Sequence, residues 1–288
     1  MAGDGQARGN KTKTALVQTL RTDFPLPLLL KLMNLKRSSF FYHLAGKVDK
    51  SISIRQQIIE IKRENKAYGY RRVTACLKGV NHKVVQRLMQ EMGLQVHTKT
   101  KRKYRSYRGD VGKIAPNLLQ RNFKAEKPNE KWLTDVTEFK AKDGNKLYLS
   151  PILDCFNNEL IAYQLSRSPN WSMVKLMLHQ AVEKLPKNAK PILHSDQGWH
   201  YQMRAYQQIL NQNGIQQSMS RKGNCLDNAA MESFFGRLKS ECFYDKVFET
   251  VNDIAEQVEA YIRYYNEERI QLKLKGLSPI QYRAQSFS

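Results

Sequence analysis

Three carboxylates in the second half of the chain are the residues best suited to chemistry. Asp135 lies within the strand-like segment "KWLTDVTEF", Asp196 follows the apolar run "PILHS", and Glu232 lies on the rim of a helical segment. Like charges that converge repel each other unless a cation lies between them. Carboxylate oxygens without Cys or His suit Mg²⁺ or Mn²⁺. Two such ions, about 3.5–4 Å apart, promote in-line attack on a phosphodiester.

Each acid lies on a type of element that can direct it towards a shared site. Asp is unfavourable in strands, yet Asp135 shares a predicted strand face with Leu133 and Phe139. Asp196 opens the loop after a buried strand, where ligands gather in α/β sheets. Spacing alone is weak support, because the chain has 26 acidic residues. The element types, together with a basic first half of the chain, make the three acids the predicted catalytic and metal-binding set.

The segment "LDNAAMESFFGRLKSEC" (226–242) carries the third acid and has the periodicity of a helix. Its apolar residues recur at helical spacing and predict one stripe that faces a core: Met231, Phe234, Phe235, Leu238 and Cys242. Asp227 or Asn228 suits the N-cap of this helix. Because the stripe fixes the helix on the core, Glu232 at its edge is held in a defined direction.

Other polar residues near the three acids receive different interpretations. Glu138 lies three residues after Asp135, so in a strand it points to the opposite face, towards solvent or an edge. Asp154 precedes "NN" and is interpreted as a turn-initiating residue, although it could approach the site. His194 and His200 flank Asp196, but nothing completes a histidine-based metal set. We therefore expect packing or substrate-contact roles for the two histidines.

The net charge of +22 is concentrated in the first half of the chain. Residues 1–128 contain 28 Lys and Arg but 8 Asp and Glu, whereas residues 129–288 contain 20 and 18. Such a distribution indicates a polyanionic partner for the first half, with nucleic acid favoured. An anionic membrane surface is a weaker alternative, because the basic residues are spread over several elements.

The basic half divides into two predicted helical units. Residues 1–48 contain "FPLPLLLKLMNLKRSSFFYHL", the outline of a helix-turn-helix whose second helix enters a DNA groove. Residues 49–96 predict a second helical DNA-binding unit, broken at Gly69, with Arg71 and Arg72 as DNA contacts. A small helical bundle with a solvated basic face is the alternative for this second unit.

Residues 97–127 are predicted to be a basic linker that contacts DNA. The stretch "HTKTKRKYRSYRGD" lacks apolar periodicity and interleaves Tyr104 and Tyr107 with cations. The cations can pair with phosphates and the tyrosines can stack. The predicted phosphate contacts are Lys101, Arg102, Lys103, Arg105 and Arg108. A merely solubilising linker would need neither this density of charge nor the aromatics.

From residue 128 the pattern changes to strands and helices in alternation. Three strands joined by short turns, followed by alternating helices and strands, predict an α/β fold with a mixed sheet and flanking helices. We assign residues 128–246 to this core, and residues 247–288 to a C-terminal helix and tail that complete it.

Cysteine spacing and hydropathy indicate an intracellular protein. Cys76, Cys155, Cys225 and Cys242 have no paired C-x-x-C spacing, which favours reduced thiols. No stretch approaches the roughly 20 apolar residues of a membrane span, and the N-terminal segment lacks an apolar signal core. We expect a cytoplasmic, nucleoid-associated bacterial protein that does not bind membranes.

With these residues in view, the chain resembles insertion-sequence transposases that have a retroviral-integrase-like catalytic core. It is similar to the downstream-frame product of the group that copies out a circular intermediate and pastes it in. The segments that carry the resemblance are "NEKWLTDVTEF", "LYLSPILDCFNNELIAYQLS", "LHSDQGWHYQ", "QSMSRKGNCLDNAAMESFFGRLKSE" and "YIRYYNEERIQLKLKGLSPIQYR". "YGYRRVTACLKG", "NHKVVQRLMQEMGL" and "RSYRG" extend it from about Tyr42 to Arg283.

The resemblance implies a ribonuclease-H-like core and a specific reaction. Its metal-binding acids fall on Asp135, Asp196 and Glu232, with two Mg²⁺ (or Mn²⁺) ions that serve 3′-end cleavage and strand transfer at terminal inverted repeats. Lys239 matches a family Lys or Arg and would hold a phosphate of the terminal nucleotides. Further candidates for this phosphate contact lie in the stretch before the helix, namely Arg221, Lys222 and Asn228. A basic loop with a helix cap is the alternative for that stretch.

The resemblance also implies partners, and one departure limits it. The partners would be double-stranded DNA as terminal repeats and target, further copies of the chain, and an upstream-frame product of the same element. The N-terminal zinc module of retroviral integrases is absent from the sequence; helix-turn-helix units take its place. The alternative function is a catalytically inert DNA-binding regulator of transposition, which the intact set of acids argues against.

Overall fold

The computed structural model describes residues 3–45, 51–96, 112–221 and 225–286. Within them, helical units precede a mixed sheet with helices on both faces. The strands are β1 (Lys131–Thr134), β2 (Thr137–Lys140), β3 (Lys146–Asp154), β4 (Leu160–Ser166), β5 (Ile192–Ser195) and β6 (Gln216–Met219). The helices of the first half are α1 (Gly3–Leu20), α2 (Leu26–Leu32), α3 (Arg37–Leu44), α4 (Ser51–Glu64), α5 (Tyr70–Cys76) and α6 (His82–Glu91). Those of the second half are α7 (Trp171–Glu183), α8 (Trp199–Gln202), α9 (Arg204–Gln212), α10 (Ala229–Leu238), α11 (Val251–Glu267) and α12 (Pro279–Ser286).

The sheet contains both antiparallel and parallel strand pairs. β1 and β2 pair antiparallel with the two halves of β3 in one register, with Thr134 opposite Ile152 and Thr137 opposite Leu149. β4 pairs antiparallel with β3, β5 pairs parallel with β1, and β6 pairs parallel with β5. The predicted fold class, a ribonuclease-H-like mixed sheet with flanking helices, is confirmed.

The central strand β1 is buried on both faces, because successive side chains of a strand point to opposite sides. Trp132 packs in an apolar cluster with α7 and α9, whereas Leu133 packs in a second cluster with α10 and α11. Both side chains are fully buried. The two clusters hold helices on each side of the strand that leads to Asp135.

The segment predicted as one strand is interrupted at Asp135 and Val136. The Oδ1 atom of Asp135 accepts a hydrogen bond of 2.7 Å from the Val136 N–H. A short polar side chain that binds its own backbone competes with the ladder of strand hydrogen bonds. The register with β3 nevertheless continues, so the acid keeps the predicted face with Leu133 and Phe139.

The first helical unit contains α1, α2 and α3 around a small apolar core. The helix pair predicted between residues 24 and 44 is present as α2 and α3, and Phe40 of α3 is fully buried. Asn34 in the connecting turn has a positive φ of 46°. Helix α1, which precedes this pair, had no counterpart in the sequence-based prediction.

The second helical unit contains α4, α5 and α6. Its core is formed by Ile58, Val73, Val85 and Leu88, all fully buried. Gly69, the predicted break, is the N-cap of α5. This unit contacts the C-terminal part of the chain: the Tyr264 hydroxyl donates to Asn65 Oδ1 at 2.6 Å.

Residues 112–121, which we call the strap, run along the edge strand β6. The Leu118 N–H donates to the Ser218 hydroxyl at 2.9 Å, and the Gly112 N–H donates to the Gln202 side chain at 3.1 Å. A Cβ atom at Gly112 would lie 2.3 Å from the Gln202 carbonyl oxygen, so this close approach requires glycine. Residues 112–127 belonged to the predicted linker, and these contacts attach their first part to the core instead.

The C-terminal segment completes the core, and α11 begins with a capping box between Thr250 and Asp253. After α11, the Arg269 guanidinium donates two hydrogen bonds to Glu241, at 2.6 and 2.7 Å. Arg269 is 2% exposed, so this ion pair lies inside the protein. None of the described helices is both long and apolar enough to cross a membrane.

Candidate active site

Asp135 and Asp196 directly follow two neighbouring parallel strands. β1 ends at Thr134 and β5 ends at Ser195. The register pairs Leu133 with His194, and its continuation by two residues sets Asp135 opposite Asp196. Adjacent strands are about 4.8 Å apart. The pairing of these two short strands therefore brings the first two predicted acids together.

Asp135 is a buried carboxyl group in a cluster of charges. Its exposed fraction is 7%. Burial, then the negative charges of Asp196 and Glu232, raise the pKa of Asp135 well above its usual range; the Val136 N–H and the Lys239 charge oppose this rise. The two acids that raise this pKa are the other two predicted members of the site.

The loop after β5 positions Asp196. Its Oδ1 atom accepts a hydrogen bond of 2.8 Å from the Gly198 N–H. A Cβ atom at Gly198 would lie 3.0 Å from that same oxygen, so glycine leaves room for the carboxylate. Burial raises the pKa of Asp196, opposed by the Gly198 N–H and by the charge of His200.

Glu232 lies in the first turn of α10, which packs against β1. The predicted apolar stripe of this helix is confirmed: Met231, Phe234 and Leu238 are fully buried with Leu133. The Glu232 side chain is half-buried. Glu232 therefore lies on a helix that packs on the strand before Asp135, and its charge adds to the effect of burial and of Asp196 on the pKa of Asp135.

The predicted helix from 226 to 242 divides into three pieces. A 3₁₀ turn covers Cys225–Asn228, α10 follows, and a π-helical turn covers Lys239–Phe243. The predicted cap role of Asp227 is wrong, because its carboxylate binds Arg121 and Arg221 instead. Asn228 occupies the N-cap position without a side-chain cap bond.

Lys239 lies at the C-cap of α10 on the side of the acids. Its Nζ atom is 5.3 Å from the centre of the Phe139 ring. Burial lowers the pKa of Lys239, while the charges of Glu138 and Asp135 raise it in part. A cation near Asp135 is suitably placed for the predicted phosphate contact, which no contact in the structure tests.

The neighbouring residues follow their predicted roles. Glu138 is exposed and binds Lys146 at 2.9 Å. Asp154 accepts the Phe156 N–H at 3.0 Å, as a turn-initiating residue does, and also binds Arg283. His194 is buried between the Ser218 hydroxyl and the Asp227 carbonyl oxygen.

The three carboxylates suit a hard divalent ion, yet their present side-chain positions do not form a shared shell. Across the described ranges, no three His, Cys, Asp or Glu side chains are grouped closely enough to hold one metal ion. Asp135 and Asp196 each direct an oxygen to a backbone N–H. Joint coordination by Asp135, Asp196 and Glu232 stays a prediction.

The predicted DNA contacts fall in different environments. Arg221 is largely exposed, and Arg71 is exposed with its Nε atom bound to the Tyr70 hydroxyl at 3.1 Å. Arg72 forms an ion pair with Glu241 at 3.3 Å, so part of its guanidinium is occupied within the chain. Asn228 is 4% exposed, and within the described residues its side-chain amide has no hydrogen-bond partner. The remaining predicted contacts lie outside the described residues: Lys101, Arg102, Lys103, Arg105, Arg108 and Lys222.

Sequence reasoning missed two residues at this site. Arg121 was part of the predicted linker, and nothing in its local sequence links it to Asp227, more than a hundred positions away. Gly198 had a detectable signal, because a glycine two residues after a strand-end acid is typical of a backbone that approaches a side chain closely.

Family profiles match most of the chain. The integrase core domain matches residues 125–225, and a second integrase core domain profile matches residues 232–287. An HTH-like domain matches residues 51–104. The range of this HTH-like match includes α4, α5 and α6.

Two known relatives match 73% and 94% of the chain. The putative transposase InsK for insertion sequence element IS150 of Escherichia coli is 56% identical over 279 residues, which are 94% of this chain and 98% of the relative. An uncharacterized transposase-like protein of Haemophilus influenzae is 65% identical over 209 residues, 73% of this chain and 95% of the relative. The HTLV-2 integrase catalytic core in complex with magnesium aligns with a TM-score of 0.42 and 17% identity, over 54% of this chain and 97% of that one.

Proposed function

The chain belongs to the insertion-sequence transposases with an integrase core domain, a family of polynucleotidyl transferases, and on this basis we propose that Asp135, Asp196 and Glu232 are its catalytic acids. The observation that carries the proposal is the parallel pairing of β1 and β5, since each strand ends directly before one acid. The packing of α10 on β1 supports the inclusion of Glu232.

The proposed reaction has two steps, and in each an oxygen attacks the phosphorus of a phosphodiester. In 3′-end cleavage, a water oxygen bonds to phosphorus, the bond from phosphorus to the 3′-oxygen breaks, and the element keeps a free 3′-hydroxyl. In strand transfer, that hydroxyl attacks a target phosphodiester and displaces a target 3′-oxygen. Asp135, Asp196 and Glu232 would hold two Mg²⁺ (or Mn²⁺) ions. When bound, these ions activate the attacking oxygen and stabilise the leaving one.

The chain's own residues set up this chemistry by position and charge. Burial, then the negative charges of Asp196 and Glu232, raise the pKa of Asp135, and it is these negative charges that attract cations to the site. Lys239, beside the acids, would bind a phosphate of the terminal nucleotides. The fully buried stripe of α10 keeps Glu232 on a rigid element, which suits a site that must hold reacting atoms in line.

The partners follow from the same proposal. The HTH-like domain, the first helical unit (residues 1–48) and the basic linker would bind double-stranded DNA at the terminal inverted repeats. Because two element ends must be joined to one target, the active form would contain several copies of the chain. An upstream-frame product of the same element is a further candidate partner. The protein would act on the bacterial nucleoid in the cytoplasm.

A cleavage and joining assay tests the proposal. The full chain is incubated with Mg²⁺ or Mn²⁺ and a labelled duplex that ends in the inverted repeat flanking its coding sequence. We expect cleaved and joined products from the wild type and none from Asp135→Asn, Asp196→Asn or Glu232→Gln. Glu138→Gln, which changes a nearby exposed acid, should keep activity. Equal products from the wild type and the three acid variants would show that the catalytic assignment is wrong.

A further inference from the structure

Asp227 is a fully buried carboxylate that holds two arginines from distant parts of the chain. The Arg121 Nε atom donates to it at 2.9 Å, and Arg221 donates through Nε at 3.0 Å and Nη2 at 3.1 Å. The Arg221 backbone N–H and the Asn117 side chain also donate to Asp227, each at 3.1 Å. Five hydrogen bonds on one carboxylate fix the stems of both arginines.

Among the described residues, the two arginines have donors that Asp227 does not accept, and two positive charges face its one negative charge. A guanidinium group has five N–H donors, and Asp227 accepts one from Arg121 and two from Arg221. The arginine side chains are 46% and 62% exposed, whereas Asp227 is 0% exposed. Two positive charges on one negative charge leave a net positive charge at the surface. Planar guanidinium groups held in this way suit the oxygens of a phosphate.

The arginine pair lies beside the candidate active site. The Asp227 carbonyl oxygen is 2.9 Å from His194 Nε2, and His194 lies two residues before Asp196 on the same strand face. The Ser220 N–H donates to the Ser195 carbonyl oxygen at 2.9 Å, so Arg221 directly follows the residue that pairs with the end of β5. Asp227 also lies five residues before Glu232. Asp227 thus connects both arginines to β5, which ends before Asp196, and to the helical segment that carries Glu232.

We propose that Arg121 and Arg221 form a binding site for a backbone phosphate of the DNA next to the scissile phosphate, and that Asp227 is the positioning residue of this site. The proposal rests on the proposed transposase function and adds Arg121 and Asp227 to it. Arg121 and Asn117 belong to the strap, which follows the predicted basic linker.

Binding of the labelled terminal-repeat duplex by the full chain at several salt concentrations tests the site. Each phosphate contact contributes about 0.9 to the slope of log affinity against log salt. Because the two arginines share one phosphate, Arg121→Gln and Arg221→Gln should each lower that slope by part of this amount and the double variant by about 0.9, with binding weakened about tenfold. Arg283→Gln is the matched control, because Arg283 pairs with another fully buried acid, Asp154, at the opposite end of β1. We expect the control to keep the wild-type slope.

Asp227→Asn separates positioning from charge. The variant keeps both arginines, so we expect its salt slope to match the wild type. The cleavage rate at saturating DNA should fall about tenfold, because the arginines lose the carboxylate that orients them. An unchanged cleavage rate in Asp227→Asn would overturn the positioning role.

The outcomes distinguish this inference from the proposed function. If the wild type cleaves the duplex but Arg121→Gln and Arg221→Gln keep its salt slope, the phosphate site is wrong and the transposase function stands. If the wild type does not cleave the duplex with Mg²⁺ or Mn²⁺, the proposed function itself fails. Thermal melting checks each variant for folding. Should Arg121→Gln fail to fold, Arg221→Gln decides alone, since its largely exposed side chain can be changed without loss of core packing.

Discussion

Replacement of Asp135 by Asn should stabilise the metal-free protein while it abolishes activity. Asp135 is buried and lies opposite Asp196 across two parallel strands. Asn has nearly the same shape, and its side-chain oxygen can still accept the Val136 N–H bond. The substitution therefore removes a buried like charge from the site with little change in packing.

The expected gain follows from the geometry of the strands. Neighbouring strands are about 4.8 Å apart, and two unit charges about 5 Å apart at an effective dielectric constant of about 20 repel by about 3 kcal/mol. Retention of a proton by the coupled pair relieves part of this repulsion near neutral pH. We expect the free energy of unfolding to rise by about 1–3 kcal/mol, which corresponds to a Tm increase of several degrees.

The gain should depend on pH, because the pKa of Asp135 in the folded protein is raised above its unfolded value, with burial as the largest cause. Below the unfolded pKa of about 3.9 both states are protonated, and Asp135 costs no stability. The cost grows as the pH rises to the folded pKa and then stays constant. Urea unfolding with EDTA should thus show a small difference between variant and wild type at pH 4 and a larger difference at pH 8.

Glu138→Gln is the control, and its expected effect on the free energy of unfolding has the opposite sign. Burial would raise the pKa of Glu138, but hydrogen bonds from Lys146 and Tyr148 lower it overall. Glu138 therefore contributes stability above its unfolded pKa and loses it as the pH falls, and the exposed pair is worth less than about 1 kcal/mol. A destabilised Asp135→Asn at every pH, or a gain that does not vary with pH, would refute the raised pKa of Asp135 in the folded protein.

Three further substitutions test the packing around the site. Glu241→Gln should lower the free energy of unfolding by about 3–5 kcal/mol, because it leaves a buried arginine unpaired; urea unfolding measures the loss. Gly198→Ala should weaken Mn²⁺ binding, measured by calorimetry, because the added Cβ would lie 3.0 Å from the Asp196 Oδ1 atom. Phe234→Ala should cost about 3–5 kcal/mol as a cavity in the core, whereas the same truncation at Leu176, which is 49% exposed, should cost less than about 0.5 kcal/mol in thermal or urea unfolding.

The sequence predicts the parts of the site that depend on local pattern. Asp135 stands out because an acid on a buried strand face is chemically unusual, and Glu232 because the apolar stripe of its helix has a clear period. The order of strands and helices is also local, since each element has its own periodicity. For these residues the surrounding few positions contain the information: the structure confirms the burial of Asp135 and the apolar stripe beside Glu232, while their catalytic role stays a prediction.

The parts that the sequence does not predict depend on long-range pairing. "LDN" before a helix is a normal capping pattern, but a buried position and an arginine 106 residues earlier in the chain give Asp227 another role. Arg72 has the local signature of a DNA contact, yet Glu241, 169 residues later, pairs with it. Nothing in the local sequence indicates either partner, because the tertiary fold brings them together.

Binding of Mn²⁺, followed by electron paramagnetic resonance, tests most directly whether Asp135, Asp196 and Glu232 form one metal-binding catalytic site. The full chain and its variants are titrated at pH 8, where the buried acids are most readily ionised. We predict that Asp135→Asn, Asp196→Asn and Glu232→Gln each weaken binding at least about tenfold, while Glu138→Gln binds like the wild type. Equal titrations of all four variants and the wild type would contradict the shared site.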